Sequence, residues 1–184
     1  MSKAHWLGLS TLPGVGGATL QKLIGQFGSV TAVYDAVDAD LLAVPRVTLE
    51  VVARLRRLNL EQLDGEIHQL TAKGITILTW DDTDYPDCLR TISSAPPILY
   101  TRGQFQPQDA QAVALVGTRE PTPTAVAHTQ TLACELARRG LTIVSGLALG
   151  IDTAAHEGAL RAGNGRTLAV LGSGLHAIHP TQNI

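Results

Sequence analysis

Between Ala112 and Leu171 the chain alternates short, β-rich apolar runs with helix-length amphipathic ones, an order that few folds accommodate. The spacing predicts strands over Ala112–Val116, Leu141–Val144 and Thr167–Leu171, with helices over about Thr124–Arg139 and Thr153–Ala162 between them. Such alternation implies right-handed crossovers and a parallel sheet, hence an α/β fold. The first helix turns Val126, Ala133, Leu136 and Ala137 to the sheet, carries Arg138 and Arg139 in its last turn, and stops at Gly140. Asp152 is expected to cap the second helix and to pair with His156 one turn on, and Gly163 to end it.

Each strand empties into small residues: Gly117-Thr118-Arg119, Ser145-Gly146 and Gly172-Ser173-Gly174. In open α/β sheets, ligands bind beyond the carboxyl ends of the strands. Glycine admits close backbone approach, Thr and Ser offer hydroxyls, and Arg119 offers a fork of donors with a permanent charge, a set suited to phosphate. Taken singly, each glycine is also explained as a turn requirement. Arg119 is not, because a charge directly after a buried strand needs a partner or water.

Hydrophobic residues make up 45% of the 184 and charged residues 16%, which excludes a disordered chain. The net charge of -2 excludes a global basic field, so any nucleic acid must be held by a local site. Seven basic residues face seven acidic ones through Lys73, and seven face nine after it, so neither half is a polybasic arm. Cys88 and Cys134 lack paired spacing and no charged-then-apolar leader opens the chain, so a reduced cytoplasmic setting is expected. No apolar run approaches the ~18–20 residues needed to cross a bilayer.

From Trp6 to about Lys73 the apolar spacing is helical. Leu12-Pro13-Gly14-Val15-Gly16 separates Trp6–Leu9 from a periodic run of Leu20, Leu23, Ile24 and Phe27 that Gly28 closes. This resembles the helix-hairpin-helix motif of DNA-binding proteins, in which amides of the glycine hairpin meet a backbone phosphate; Lys22 adds charge nearby. Such hairpins also serve as plain packing modules, in which case Gly14 and Gly16 only turn the chain. Val47–Leu60 reads as an amphipathic helix with Val51, Leu55 and Leu58 inward. A solvated face accounts for its Arg54, Arg56 and Arg57, with phosphate contact as the alternative. The first β-like run, Ile75–Trp80, follows Lys73-Gly74, so the expected organisation is a helical domain over 1–73 and an α/β domain over 74–184.

The run VGTR at Val116–Arg119, the tract Ser145-Gly146-Leu147-Ala148-Leu149-Gly150-Ile151-Asp152 with Ala155-His156, and the following TLAVLGSGLHAIHP resemble the DprA/Smf family of DNA-processing proteins. Tyr85-Pro86, Leu89, Ala95-Pro96 and Leu99 are similar to that family's lead-in. The resemblance implies an extended Rossmann-like domain, of which this chain carries the first half, behind a small helical domain of the helix-hairpin-helix or SAM-like kind. It implies a non-enzymatic protein that holds single-stranded DNA and hands it to the RecA recombinase during uptake and transformation. It implies DNA contacts at Gly117, Thr118, Arg119, Ser145, Gly146 and Asn183, with neither cofactor nor metal. It also implies a homodimer whose surface, with further strands, lies in a second half beyond Ile184.

Other chemistry is less well supported. His176 and His179 have no Cys or carboxylate at ligand spacing, so no metal is expected. Neither Ser145 nor Ser173 sits in G-x-S-x-G. The alternative is a Rossmann-like nucleotide- or nucleotide-sugar-binding enzyme, because Gly172–Ala177 matches G-x-G-x-x-A after a strand. Pro180 stands where its helix should run. A third reading makes the N-terminal part a protein-interaction module.

Overall fold

A computed structural model describes residues 3–178 together with 180 and 181, and it divides into two compact units, one through Gln104 and one from Phe105. The first unit opens with α1 (Lys3–Thr11), α2 (Gly17–Phe27), α3 (Val30–Asp35), α4 (Asp38–Leu42), α5 (Leu49–Arg56) and α6 (Leu60–Ala72). Local chemistry sets these boundaries. Ser29, Thr48 and Asn59 each accept a backbone N–H at a helix start, and Gly28, at φ 85, closes α2 by donating to the Ile24 carbonyl. The hairpin between α1 and α2 lies where the sequence places it. Trp6, Leu9, Leu20, Leu23, Val33, Val51 and Leu55 form the buried core.

The helices are not a separate all-α domain. Strands β1 (Thr76–Thr79) and β2 (Ile98–Thr101) pair antiparallel and belong to the same unit, which moves the boundary from the expected residue 74 to Gln104. The reason is burial: Ile77 joins Ala4, Leu7 and Leu63 in a second cluster. Trp6 donates its indole N–H to Asp81 at 2.8 Å and meets Trp80 edge-on, and Lys3 Nζ reaches the Ile77 carbonyl at 2.5 Å. Between the strands lies the short α7 (Asp87–Arg90). The guanidinium of Arg90 donates to the carbonyls of Trp80 and Asp82 and lies over the Tyr85 ring, while Tyr85 and Trp80 both donate to the Pro96 carbonyl. The Tyr-Pro and Ala-Pro lead-in is therefore a stapled connector.

The second unit follows the expected order. After a 3₁₀ turn at Pro107–Ala110 come β3 (Ala112–Ala114), α8 (Pro123–Arg138), β4 (Thr142–Ser145), α9 (Ile151–Leu160) and β5 (Thr167–Ala169). The strands pair in parallel in the order β3-β4-β5, with Val113 opposite Ile143 and Ile143 opposite Thr167. Thr122 caps α8, with Pro123 at its first position. Ala133 and Ala137 of α8 and Ala155 and Ala159 of α9 pack with Ile143, and Leu115 and Leu136 lie against them. Small residues let both helices sit close to the sheet and to each other. The register places Ala114, Val116 and Val170 on the other face, where they are exposed.

At the amino ends of the strands a charge pair closes the unit. Arg166 holds Asp109 through two hydrogen bonds of 2.6 and 2.7 Å, and Asp109 also accepts from Thr142 Oγ1 and the Gln106 amide. Burial alone would raise the Asp109 carboxyl, but the bonds from Arg166, Gln106 and Thr142 outweigh it and hold it below the usual range. Removing one member of so enclosed a pair strands the other. Asp109→Ala should cost the second unit about 3 kcal/mol, read by urea unfolding near neutral pH. Asp109→Asn, which keeps an acceptor, should cost less.

Candidate nucleic-acid interface

The carboxyl ends of β3, β4 and β5 are held together by backbone and buried side chains. Leu115 N–H donates to Val144 O and Val170 N–H to Ser145 O, both at 2.9 Å, which extends the ladders just past the strands. Beyond them the first loop, Gly117–Arg119, lies against the first turn of α9. Ile151 N–H donates to Thr118 O at 3.1 Å. Gly150 has φ 86, and a Cβ there would stand 2.4 Å from Thr118 O and 2.8 Å from the Arg119 backbone. A Cβ on Gly117 would strike the Ile151 side chain at 2.8 Å. Two glycines thus let two loops close on each other.

The second loop, 145–150, is braced from α9. Asp152, buried in the first turn, accepts from the Gly146 N–H at 3.1 Å, and Thr153 Oγ1 donates to Ala148 O at 2.8 Å. Leu147 sits in the left-handed region at φ 61, unusual for a branched side chain and sustained by this bracing. The N-cap of α9 is Gly150, without a side-chain cap, so Asp152 does not cap the helix as the sequence suggests; it ties down the loop.

His156 departs from expectation as well. Its Nδ1 shares a 2.6 Å hydrogen bond with Thr167 Oγ1 on β5, and no hydrogen bond links it to Asp152. Its Nε2 is buried without a partner. Burial holds its pKa below the ordinary value, with the Asp152 charge pulling the other way.

Of the residues anticipated for DNA contact, Gly117, Thr118 and Arg119 are exposed together at the strand ends, with half-buried Gly146 on the neighbouring loop. Among the described residues Arg119 makes no ion pair or hydrogen bond through its side chain, so its charge faces solvent. Thr118 Oγ1 accepts from Glu120 N–H at 3.2 Å and shapes the turn. Ser145 is 2% exposed and its hydroxyl donates to Leu115 O at 2.7 Å, so it joins two strands and does not face the groove. Asn183 and His179 lie outside the described residues. Gly150 is the residue that sequence reasoning passed over; its signal was a glycine directly before a helix start. Apolar surface accompanies the charge: Val116, Val170 and Leu149 are 71%, 67% and 45% exposed at the same strand ends. The G-x-G-x-x-A stretch opens no helix, since residues 172–178 form bends and turns. Among the described residues no helix is long and apolar enough to span a membrane, and no cluster of three or more His, Cys, Asp or Glu stands at metal-binding distance.

Fold and site together define a Rossmann-like α/β unit whose strand ends carry closely packed loops with an exposed Arg119 beside Glu120. The chain belongs to the family described as DNA recombination-mediator protein A, whose sequence profile matches residues 76–184. It is 39% identical to Protein Smf of Synechocystis sp. over 98% of this chain and 46% of that protein. The fold is similar to the X-ray structure of DNA processing protein A (DprA) from Streptococcus pneumoniae, with a TM-score of 0.75, 28% identity, and coverage of 97% of this chain and 59% of that one. It is also similar to DNA processing protein A from Helicobacter pylori, described for its single-stranded DNA binding mode, with a TM-score of 0.50, 39% identity, and coverage of 58% and 47%. The chain therefore spans about half the length of the relatives it matches.

Two outcomes follow from the geometry. Gly150→Ala must place a Cβ against backbone at a positive φ, so it should lower stability by at least about 2 kcal/mol in urea unfolding. Burial lowers the pKa of His156 in the folded state, so below pH ~6.5 the unfolded chain binds more protons and stability falls as the pH drops through that range. Melting temperatures taken from pH 8 to 5 should show this decline, and His156→Gln should flatten it.

Proposed function

We propose that the groove at the strand ends holds the sugar-phosphate backbone of single-stranded DNA, and that the protein acts as a non-enzymatic mediator in recombination of incoming DNA. The observation that carries the reading is Arg119: an exposed, unpaired guanidinium beside Gly117, Thr118 and Gly146, on loops fixed by backbone contacts. Exposed Val116, Leu149 and Val170 add an apolar surface that suits bases and sugars, which an inorganic anion has no use for. Ser145 contributes by positioning the strand ends, and Asn183 is assigned by resemblance alone.

Membership of a recombination-mediator family and likeness to a protein described by its single-stranded DNA binding both support this reading. Delivery of the strand to RecA, pairing into a homodimer and a cytoplasmic setting belong to the same proposal and concern the whole protein. A nucleotide-binding enzyme is less well supported, because residues 172–178, which carry the glycine run, form bends and turns.

Fluorescence anisotropy with labelled oligo-dT tests the reading. Binding should weaken as salt rises, and Arg119→Ala should reduce affinity several-fold and lower the salt slope by about 0.7, the share of one phosphate on a single strand. A folded sample that binds no oligonucleotide at low salt sinks the proposal. Thermal stabilisation by ATP or NAD without any by oligonucleotide favours the nucleotide-binding enzyme.

A further inference from the structure

The three arginines at the end of α5 look equivalent in sequence, but the structure gives them different surroundings. Arg56 is consumed internally, donating to the carbonyls of Tyr34 and Ala36 and to Asp38, and so fastens α5 to the end of α3 and the start of α4. Arg54 pairs with Glu50 at 2.8 Å on the helix surface, an exposed i,i+4 pair of little energetic weight. Arg57 is exposed, and among the described residues its side chain has no hydrogen bond or ion pair. Arg54 and Arg57 line one cleft of about 240 Å³ with Thr11, Leu12, Pro13 and Leu58. Glu50 neutralises Arg54 from outside the lining, which leaves Arg57 as the uncompensated cation, and the opposite wall is the start of the glycine hairpin. Just past that wall Gly14 and Gly16 are exposed, and neither amide donates to a described backbone carbonyl.

From this we infer that the cleft between the α1–α2 hairpin and the end of α5 is a second contact site for the phosphodiester backbone of nucleic acid, with Arg57 as its principal cation and Arg54 as its neighbour. A bidentate guanidinium suits a phosphate oxygen pair, and Leu12, Pro13 and Leu58 offer a floor for sugar. The helix dipole of α5 also favours cations at this end, but it acts on helix stability and does not account for an unneutralised Arg57 set in a cleft against the α1–α2 hairpin. The inference takes its ligand class from the proposed function but uses a different site on a different unit. Single- and double-stranded nucleic acid offer the same phosphate chemistry, and the test distinguishes them.

The test compares the full chain with Arg57→Gln, Arg54→Gln/Arg57→Gln and Arg119→Ala, titrated against a labelled oligo-dT and a labelled duplex over a range of salt. Circular dichroism confirms folding; Arg57→Gln removes no contact, so it provides a folded variant even if the double substitution does not. Arg57→Gln should weaken binding several-fold with little change in melting temperature and reduce the salt slope by about 0.7 on oligo-dT or about 0.9 on duplex, with a larger loss of affinity in the double variant. A loss with oligo-dT alone assigns the site to single strands, and a loss with duplex alone assigns it to double strands; either supports the inference. Unchanged affinity and slope on both probes overturn it. If Arg119→Ala alone weakens binding, the groove reading stands and this site does not. If the unsubstituted chain binds neither probe, both fail.

Discussion

The second unit depends on one close approach, that of Gly150 to the peptide between Thr118 and Arg119. No side chain fits in that gap, so the loop after β3 and the loop before α9 meet backbone to backbone, and the Ile151 amide finds its acceptor across the seam. The Gly146 amide is satisfied by Asp152 and the strand ends are joined through Ser145. These contacts fix the two loops and leave the Arg119 side chain exposed beside the exposed Glu120. If these loops hold the proposed ligand, little freedom is lost on binding, because backbone contacts already fix them.

The arrangement of the strands was legible because it rests on local chemistry that sequence displays. Gly140 stops a helix, Thr122-Pro123 starts one, and alanines at helical spacing mark a face pressed to a sheet. The strand-end loops could be located for the same reason. What each residue in them does depends on distant partners and was not legible. Ser145 reads as an exposed hydroxyl until Leu115 is placed opposite it. Asp152 and His156 read as a pair one turn apart, but Gly146 lies closer to the one and Thr167 to the other. The boundary moved for a similar reason. Lys73-Gly74 ends a helix, but only the burial of Ile77 beside Ala4, Leu7 and Leu63 shows that the next strands pack back onto that helix. The α5 arginines look alike because a helix surface does not display which of its residues meet a neighbouring loop.

The first unit shows how short segments with little core of their own are held. Its connector from Trp80 to Pro96 buries few side chains, yet Arg90 gathers backbone carbonyls along it and Tyr85 and Trp80 fix its far end. Irregular backbone is tolerated there because its polar groups have partners. The residues that look like a family signature in this stretch are therefore explained by architecture.

The placement of charge has a further consequence. The pair between Asp109 and Arg166 is enclosed, with the carboxylate side chain 8% exposed, whereas Arg119 and Arg57 stand in water. Mobile ions screen exposed charges within about a Debye length and reach enclosed ones far less. Ionic strength therefore acts on the two exposed arginines far more than on the Asp109–Arg166 pair. If the proposed sites hold a polyanion, salt strips it away before it loosens the Asp109–Arg166 pair.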